Sequence, residues 1–344
     1  MKSSVRWVLM AVVILVAGWC SAQTTPSPAL LVLSKQDQTL AIVDPGSLKA
    51  VARIPVGNDP HEVVALSDGR TAYVSNYGFG AFHTLAVVDL VAQKPLPAID
   101  LGALHGPHGL SFREGKVWFT AEAARSIGSY DPATKKIDWV MGIGQNRTHM
   151  IYVFPGARRI LTTNVNSGTV TFLERYDLRP GDTMPGVPQG GILPPGGDWL
   201  LTVFPVGTRD EGFDVSPDGN EAWVANAGEG TISVIDIAAK KVTATIAANA
   251  PGANRLKFTP DGKTVLVSAG PDVVFFDTAT RKEVKRLAIG HGSGGILVQP
   301  DGARAFVAFG PDGYVAVIDL KTLSVVGHID AGGNPDGMAW AEWQ

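Results

Sequence analysis

Hydrophobic and polar positions alternate along this chain in short runs, and the same turn punctuates them. Phe213-Asp214-Val215 leads into Ser216-Pro217-Asp218-Gly219, followed by Glu221-Ala222-Trp223-Val224-Ala225-Asn226 and Thr231-Ile232-Ser233-Val234-Ile235-Asp236. The unit returns as Leu256-Lys257-Phe258-Thr259-Pro260-Asp261-Gly262 and as Ile296-Leu297-Val298-Gln299-Pro300-Asp301-Gly302. Alternation of period two between turn signals predicts half-buried strands. A repeat of about forty residues holding several short strands predicts an all-β ring, a β-propeller.

Aligning the units on their first strands gives the apolar pairs Val63/Ala65, Leu110/Phe112, Ile151/Val153, Phe213/Val215, Leu256/Phe258, Ile296/Val298 and Met338/Trp340. Seven first strands predict seven four-stranded antiparallel blades. The ends of the chain complement each other. Asp336 to Glu342 is a first strand with nothing after it, and Ala29 to Ile54 holds three strands with no first strand before them. Pairing the C-terminal strand with the N-terminal ones closes the ring and removes two exposed sheet edges. One unit is too long. Residues 176–198, rich in Pro and Gly, predict an irregular insertion between the third and fourth strands of blade 4, on the face away from the first-strand entrances.

Candidate chemistry comes from one column of this alignment. The residue two before each first apolar position lies at the mouth of the central channel, and round the ring it is Asp336, His61, His108, His149, Glu211, Asn254 and Gly294. Three of the chain's seven histidines fall on this one position in successive blades, with acids on either side. Imidazoles beside carboxylates suit a divalent transition metal, and equally polar recognition or acid–base work near neutral pH. A Pro-His turn whose ring bonds a loop carbonyl is the structural alternative. Asn76, Tyr77, His83, His105, Glu122, Asn164, Asn226 and His291 are expected on loops of the same face, while His328 belongs to a last strand near the outer rim. Tyr77, Phe79 and Phe82 form a candidate recognition lip, and Arg147 and Arg255 are the basic residues expected beside the ring. Trp118, Trp223 and Trp340 are expected to pack between blades. No His-Glu-x-x-His, Gly-x-Ser-x-Gly, phosphate-loop or dinucleotide motif is present.

Composition sharpens the picture at three points. With 40 Gly and 23 Pro in 344 residues, the chain suits many tight turns. Its formal charge of −3, without a basic cluster in the face loops, argues against nucleic-acid binding. Lys2 and Arg6 precede the apolar run Trp7 to Gly18, and Cys20-Ser21-Ala22 offers small residues for cleavage, so residues 1–22 are expected to be an export signal. The mature protein, residues 23–344, is then a single periplasmic or secreted propeller without a transmembrane segment. A lipoprotein anchored through Cys20, the only cysteine, is the alternative. Cleavage after Ala22 leaves no thiol and no disulfide, and a lone cysteine cannot form a c-type haem site.

Tyr73-Val74-Ser75-Asn76, Trp223-Val224-Ala225-Asn226, the Ser-Pro-Asp-Gly turns and strand ends such as Val87-Val88-Asp89, Val234-Ile235-Asp236 and Val317-Ile318-Asp319 resemble the YVTN-repeat β-propellers, the YncE-like exported bacterial proteins. The resemblance spans essentially the whole mature chain. It implies the propeller fold and leaves function open, because such propellers include surface-layer proteins, periplasmic DNA-binding proteins and relatives of haem-carrying and lactone-cleaving enzymes. The expectations are therefore a binding or scaffold protein holding a small ligand, metal ion or partner at the channel mouth, or a metal-dependent lactonase-like hydrolase or lyase using the same ring. DNA binding, which the acidic balance disfavours, is the third.

Overall fold

The computed structural model describes residues 24–177 and 197–343. It is a ring of seven four-stranded antiparallel sheets, each running outward from a first strand at the axis. The only helical segments among the described residues are three short 3-10 turns. The proposed signal segment with Cys20 and the centre of the 176–198 insertion lie outside the described residues. The flanks of that insertion, Tyr176 and Asp198, pair as the end of one strand and the start of the next.

Blade 1 is assembled from both ends of the chain. Pro335–Ala341 pairs with Ala29–Ser34, opposing Leu30 to Trp340 and Ala29 to Ala341, and Thr39–Asp44 and Lys49–Pro55 complete the sheet. Beyond the strands, the Ser27 hydroxyl donates to the Trp343 carbonyl at 2.6 Å and accepts from the Trp343 amide at 3.0 Å. Blade 1 is therefore complete and the ring closed, as the complementary termini predict.

The core lies between blades, in seven apolar clusters, one at each blade–blade interface. Leu31, Ile42 and Val63 join blades 1 and 2, for example, and Trp223, Leu256 and Val267 join blades 5 and 6. Strand alternation sends one set of apolar side chains to each neighbouring blade, which is why the second strands are buried on both faces. Trp118, Trp223 and Trp340 all sit in these layers.

Every first strand is irregular at its start. In blade 2, Pro60 opposes Asn76 and Val63 opposes Val74, so His61 and Glu62 together face the single residue Ser75. The same shift occurs in blades 3, 4, 5 and 7, between Pro107 and Leu110, Thr148 and Ile151, Asp210 and Phe213, and Ser293 and Ile296. Such a bulge re-aims a side chain that regular pleating would turn away. The loops leading in are strained as well: Asp59, Arg147, Arg209 and Asn334 have φ of 46°, 60°, 54° and 50°, each two residues before a mouth residue.

Candidate functional site at the channel mouth

The bulges deliver all seven column residues to one cavity. Asp336, His61, His108, His149, Glu211, Asn254 and Gly294 line a pocket of about 310 Å³ on the axis, with contributions from every blade. Three buried hydroxyls set their register. Ser75 accepts from the Glu62 amide at 3.0 Å and donates to the His108 carbonyl of the next blade at 2.8 Å. Thr120 accepts from Gly109 at 2.9 Å and donates to His149 at 2.8 Å; Thr163 accepts from Met150 at 3.3 Å and donates to Glu211 at 3.0 Å.

The three histidines do different jobs. The His61 ring lies 4.8 Å from that of His108, and His108 lies 3.8 Å from His149. His61 Nε2 accepts from Lys35 Nζ at 3.0 Å, and its Nδ1 faces Asp59 Oδ1 at 3.3 Å, so both nitrogens are engaged. Lys35 also pairs with Asp336. His149 Nδ1 donates to Glu122 Oε1, while its Nε2 lies 3.1 Å from Glu211 Oε2 but off the line of a hydrogen bond. The Tyr77 hydroxyl donates to the other Glu122 oxygen at 2.5 Å. Arg147 reaches both Glu122 and Glu211 at 3.5 Å.

His108 differs from both. It is 1% exposed, its side chain makes no hydrogen bond among the described residues, and its Nδ1 is buried without a partner. Buried polar atoms are nearly always satisfied, so this nitrogen and His149 Nε2, which is buried without a partner as well, stand out in the mouth.

Electrostatics separates the rings further. Burial, reinforced by the positive charge of His149, pushes His108 well below the ordinary imidazole value and keeps it neutral. Burial also opposes charge on His149, but the hydrogen bond to Glu122 and the Glu211 carboxylate outweigh it and raise its pKa. Burial would raise Glu211, yet His149 and Arg147 hold it down at about 2. Glu122 is lowered against burial by His149 and Tyr77, and Asp336 against burial by Lys35. Burial thus disfavours charge on His108, while the two carboxylates beside His149 favour it there.

One residue deeper, the channel has a waist. Its positions are Gly337, Glu62, Gly109, Met150, Gly212, Arg255 and Gly295, a side chain alternating with glycine through the successive blades 1 to 7. The glycines are demanded by close packing. A Cβ on Gly109 would lie 2.5 Å from the His149 carbonyl, and one on Gly337 would lie 2.2 Å from that of His61. Across the opening, Arg255 Nη2 of blade 6 meets Glu62 Oε1 of blade 2 at 2.8 Å.

The loop residues expected on this face divide. Glu122 and Tyr77 join the site. Asn76, Asn164 and Asn226 are buried and spend their amides on the fold: Asn76 donates to the Val56 and Asn58 carbonyls, Asn164 to Thr169 and Thr171, and Asn226 to Thr231 and Ser233. His83 and His105 pair with each other outside the pocket, ring to ring at 4.9 Å, with His83 bonded to Asp100. His291 is 86% exposed and held by Asp312 at 2.6 Å. His328, as expected, lies on a last strand, its ring against Tyr314. Of the lip, Tyr77 is buried against His61 and His108, and Phe79 is exposed. Arg147 and Arg255 line the mouth, but Lys35 does too, which sequence reasoning missed. Lys35 sits in the loop after the first N-terminal strand, outside the aligned column.

The fold and site define a seven-bladed β-propeller with a polar, charge-rich axial mouth. Solved structures with the same architecture include a functionally unknown protein from Desulfotomaculum acetoxidans, 17% identical, covering 92% of this chain and 100% of that one with a TM-score of 0.72. A candidate 6-phosphogluconolactonase from Bacteroides fragilis is 15% identical over 93% of this chain and 99% of its own, with a TM-score of 0.68. Hydrazine synthase of Kuenenia stuttgartiensis is 16% identical over 88% and 98%, also at 0.68. At such identities the likeness is one of fold. No family model and no curated protein matches the chain.

Proposed function

We propose that this is a binding propeller whose channel mouth takes up a divalent transition-metal ion through His108, Glu122 and His149. The observation that carries the reading is the unpartnered, neutral, buried His108 beside two further donors, with ligand atoms of all three within 4.8 Å of one another. Two imidazoles and a carboxylate are a donor set suited to zinc, and three protein ligands leave a position for water or a small molecule. Glu211 and Tyr77 would then act from behind, orienting His149 and Glu122. His61 is not in the set, because the Lys35 ammonium occupies its Nε2. Calorimetric titration of Zn²⁺ into chelator-treated protein should show one saturable site, and His108→Ala should lose it. The same ion should raise the melting temperature of the wild type alone, since a ligand that binds only the folded state stabilises it.

A second reading rests on His149, both of whose nitrogens already face carboxylates. As a protonated imidazolium it holds those acids, and His108 then receives an organic ligand directly. Under this reading zinc neither binds nor shifts the melt. The enzymatic version of the metal site is a lactone hydrolase, in keeping with the candidate lactonase among the similar folds; turnover of a lactone by zinc-loaded protein, lost in His108→Ala, is its mark. We also propose export. The mature protein should begin at Gln23 by intact-mass measurement, and a lipidated Cys20 would replace this with a membrane-tethered form.

A further inference from the structure

Beyond the Glu62–Arg255 pair lies a second chamber of about 320 Å³, lined by first-strand residues of all seven blades. Its chemistry is the opposite of the mouth's. Val64, Phe112, Met150, Tyr152, Met338 and Trp340 line it as half-buried apolar and aromatic side chains. Each of these side chains also packs in a blade–blade layer, and what it leaves uncovered faces the chamber, a concave apolar surface of the kind that holds small molecules. Two polar handles stand among them: the Tyr152 hydroxyl and the Trp340 indole N–H make no hydrogen bond among the described residues. One face of Trp340 is backed by Phe306, with ring centroids 6.3 Å apart and the planes 29° from parallel.

The chamber is distinct from the mouth. The Glu62–Arg255 pair crosses the axis between them, and Arg255 borders both cavities. Glu62 and Arg255 thus meet at a level where four glycines let the strands close in. At the far end, Lys257 Nζ and Asp214 Oδ1 lie 3.4 Å apart and neutralise each other, so no unpaired charge faces the chamber from there. A charged ligand would have to break one of these pairs.

We propose that this lower chamber is a second binding site, for a small uncharged aromatic molecule carrying one hydrogen-bond acceptor for Tyr152 or Trp340. Acetophenone has that chemistry and serves as the probe in ligand-observed NMR titration of the full chain. The expected result is one saturable site. Val64→Phe, which fills the chamber, should weaken binding at least tenfold. Tyr152→Phe, which removes only a hydroxyl, should weaken it several-fold with the melting temperature unchanged, and ethylbenzene, lacking the acceptor, should bind Tyr152→Phe and wild type alike. Zinc at the mouth should alter none of these affinities, which separates this site from the metal reading. Non-saturable binding, or an affinity indifferent to both substitutions, would overturn the proposal.

Discussion

Deleting Asp336 to Gln344 should abolish the cooperative thermal transition and leave an aggregating chain. The segment supplies the innermost strand of blade 1, and it packs on both sides: Met338 and Trp340 against the layer with blade 7, Ala339 and Ala341 against the layer with blade 2. Without it, Ala29–Ser34, whose five apolar residues are now fully buried, loses its inner partner and becomes an edge, a template for association with other chains. The Lys35–Asp336 pair is lost as well, so the mouth loses one wall. Scanning calorimetry and light scattering of the truncated protein check this. A soluble truncation melting at the wild-type temperature would show that the ring does not depend on its closure.

Asp210→Asn should stabilise the metal-free protein by on the order of 4 kcal/mol above pH 7. Asp210 is fully buried, and its Oδ2 accepts from the Asn164 amide at 2.9 Å while Oδ1 has no partner. Burial lifts its pKa from 3.8 to about 7; Glu211 adds to the rise, and the Asn164 amide and His149 oppose it. For an acid raised in the folded state, stability is fully present below the unfolded pKa and falls as pH rises from 3.8 to about 7, because only the unfolded chain releases its proton freely. At about 1.4 kcal/mol per pH unit, that interval gives the figure above. An asparagine has no proton to lose, so urea unfolding at pH 5 and pH 8 should diverge between wild type and variant, the gap widening toward pH 8. Parallel profiles would mean that the buried carboxyl is charged at little cost.

The fold was legible because each of its features recurs. Seven apolar pairs and the Pro-Asp-Gly turns mark the first strands, and the unmatched ends at Ala29 and Asp336 foretell the closure. The mouth column was legible for the same reason: one alignment position becomes one place on the axis. What escaped lies at repeat positions whose residue type or strand pattern gives no sign of the channel. Lys35 follows the second strand of its blade as Tyr77 and Glu122 follow theirs, but in a blade split between the chain ends that equivalence is hidden. Glu62 and Arg255 sit one position past it, and strict alternation would turn them away from the channel; only the bulge places adjacent residues such as His61 and Glu62 both on the axis. Ser75, Thr120 and Thr163 resemble ordinary strand residues, yet their hydroxyls join the mouth residues of successive blades. Asn76, Asn164 and Asn226 recur as a site would, but their amides serve the fold: Asn164 and Asn226 tie the turn that follows them, and Asn76 ties the loop that enters its blade.

We propose above all that the unspent His108 nitrogen, with Glu122 and His149, holds a metal ion. Elemental analysis of protein purified without a histidine tag or chelator tests it most directly. About one divalent transition-metal ion per chain is expected, absent from His108→Ala purified in parallel. Metal-free wild-type protein that also takes up none after dialysis against zinc would contradict it.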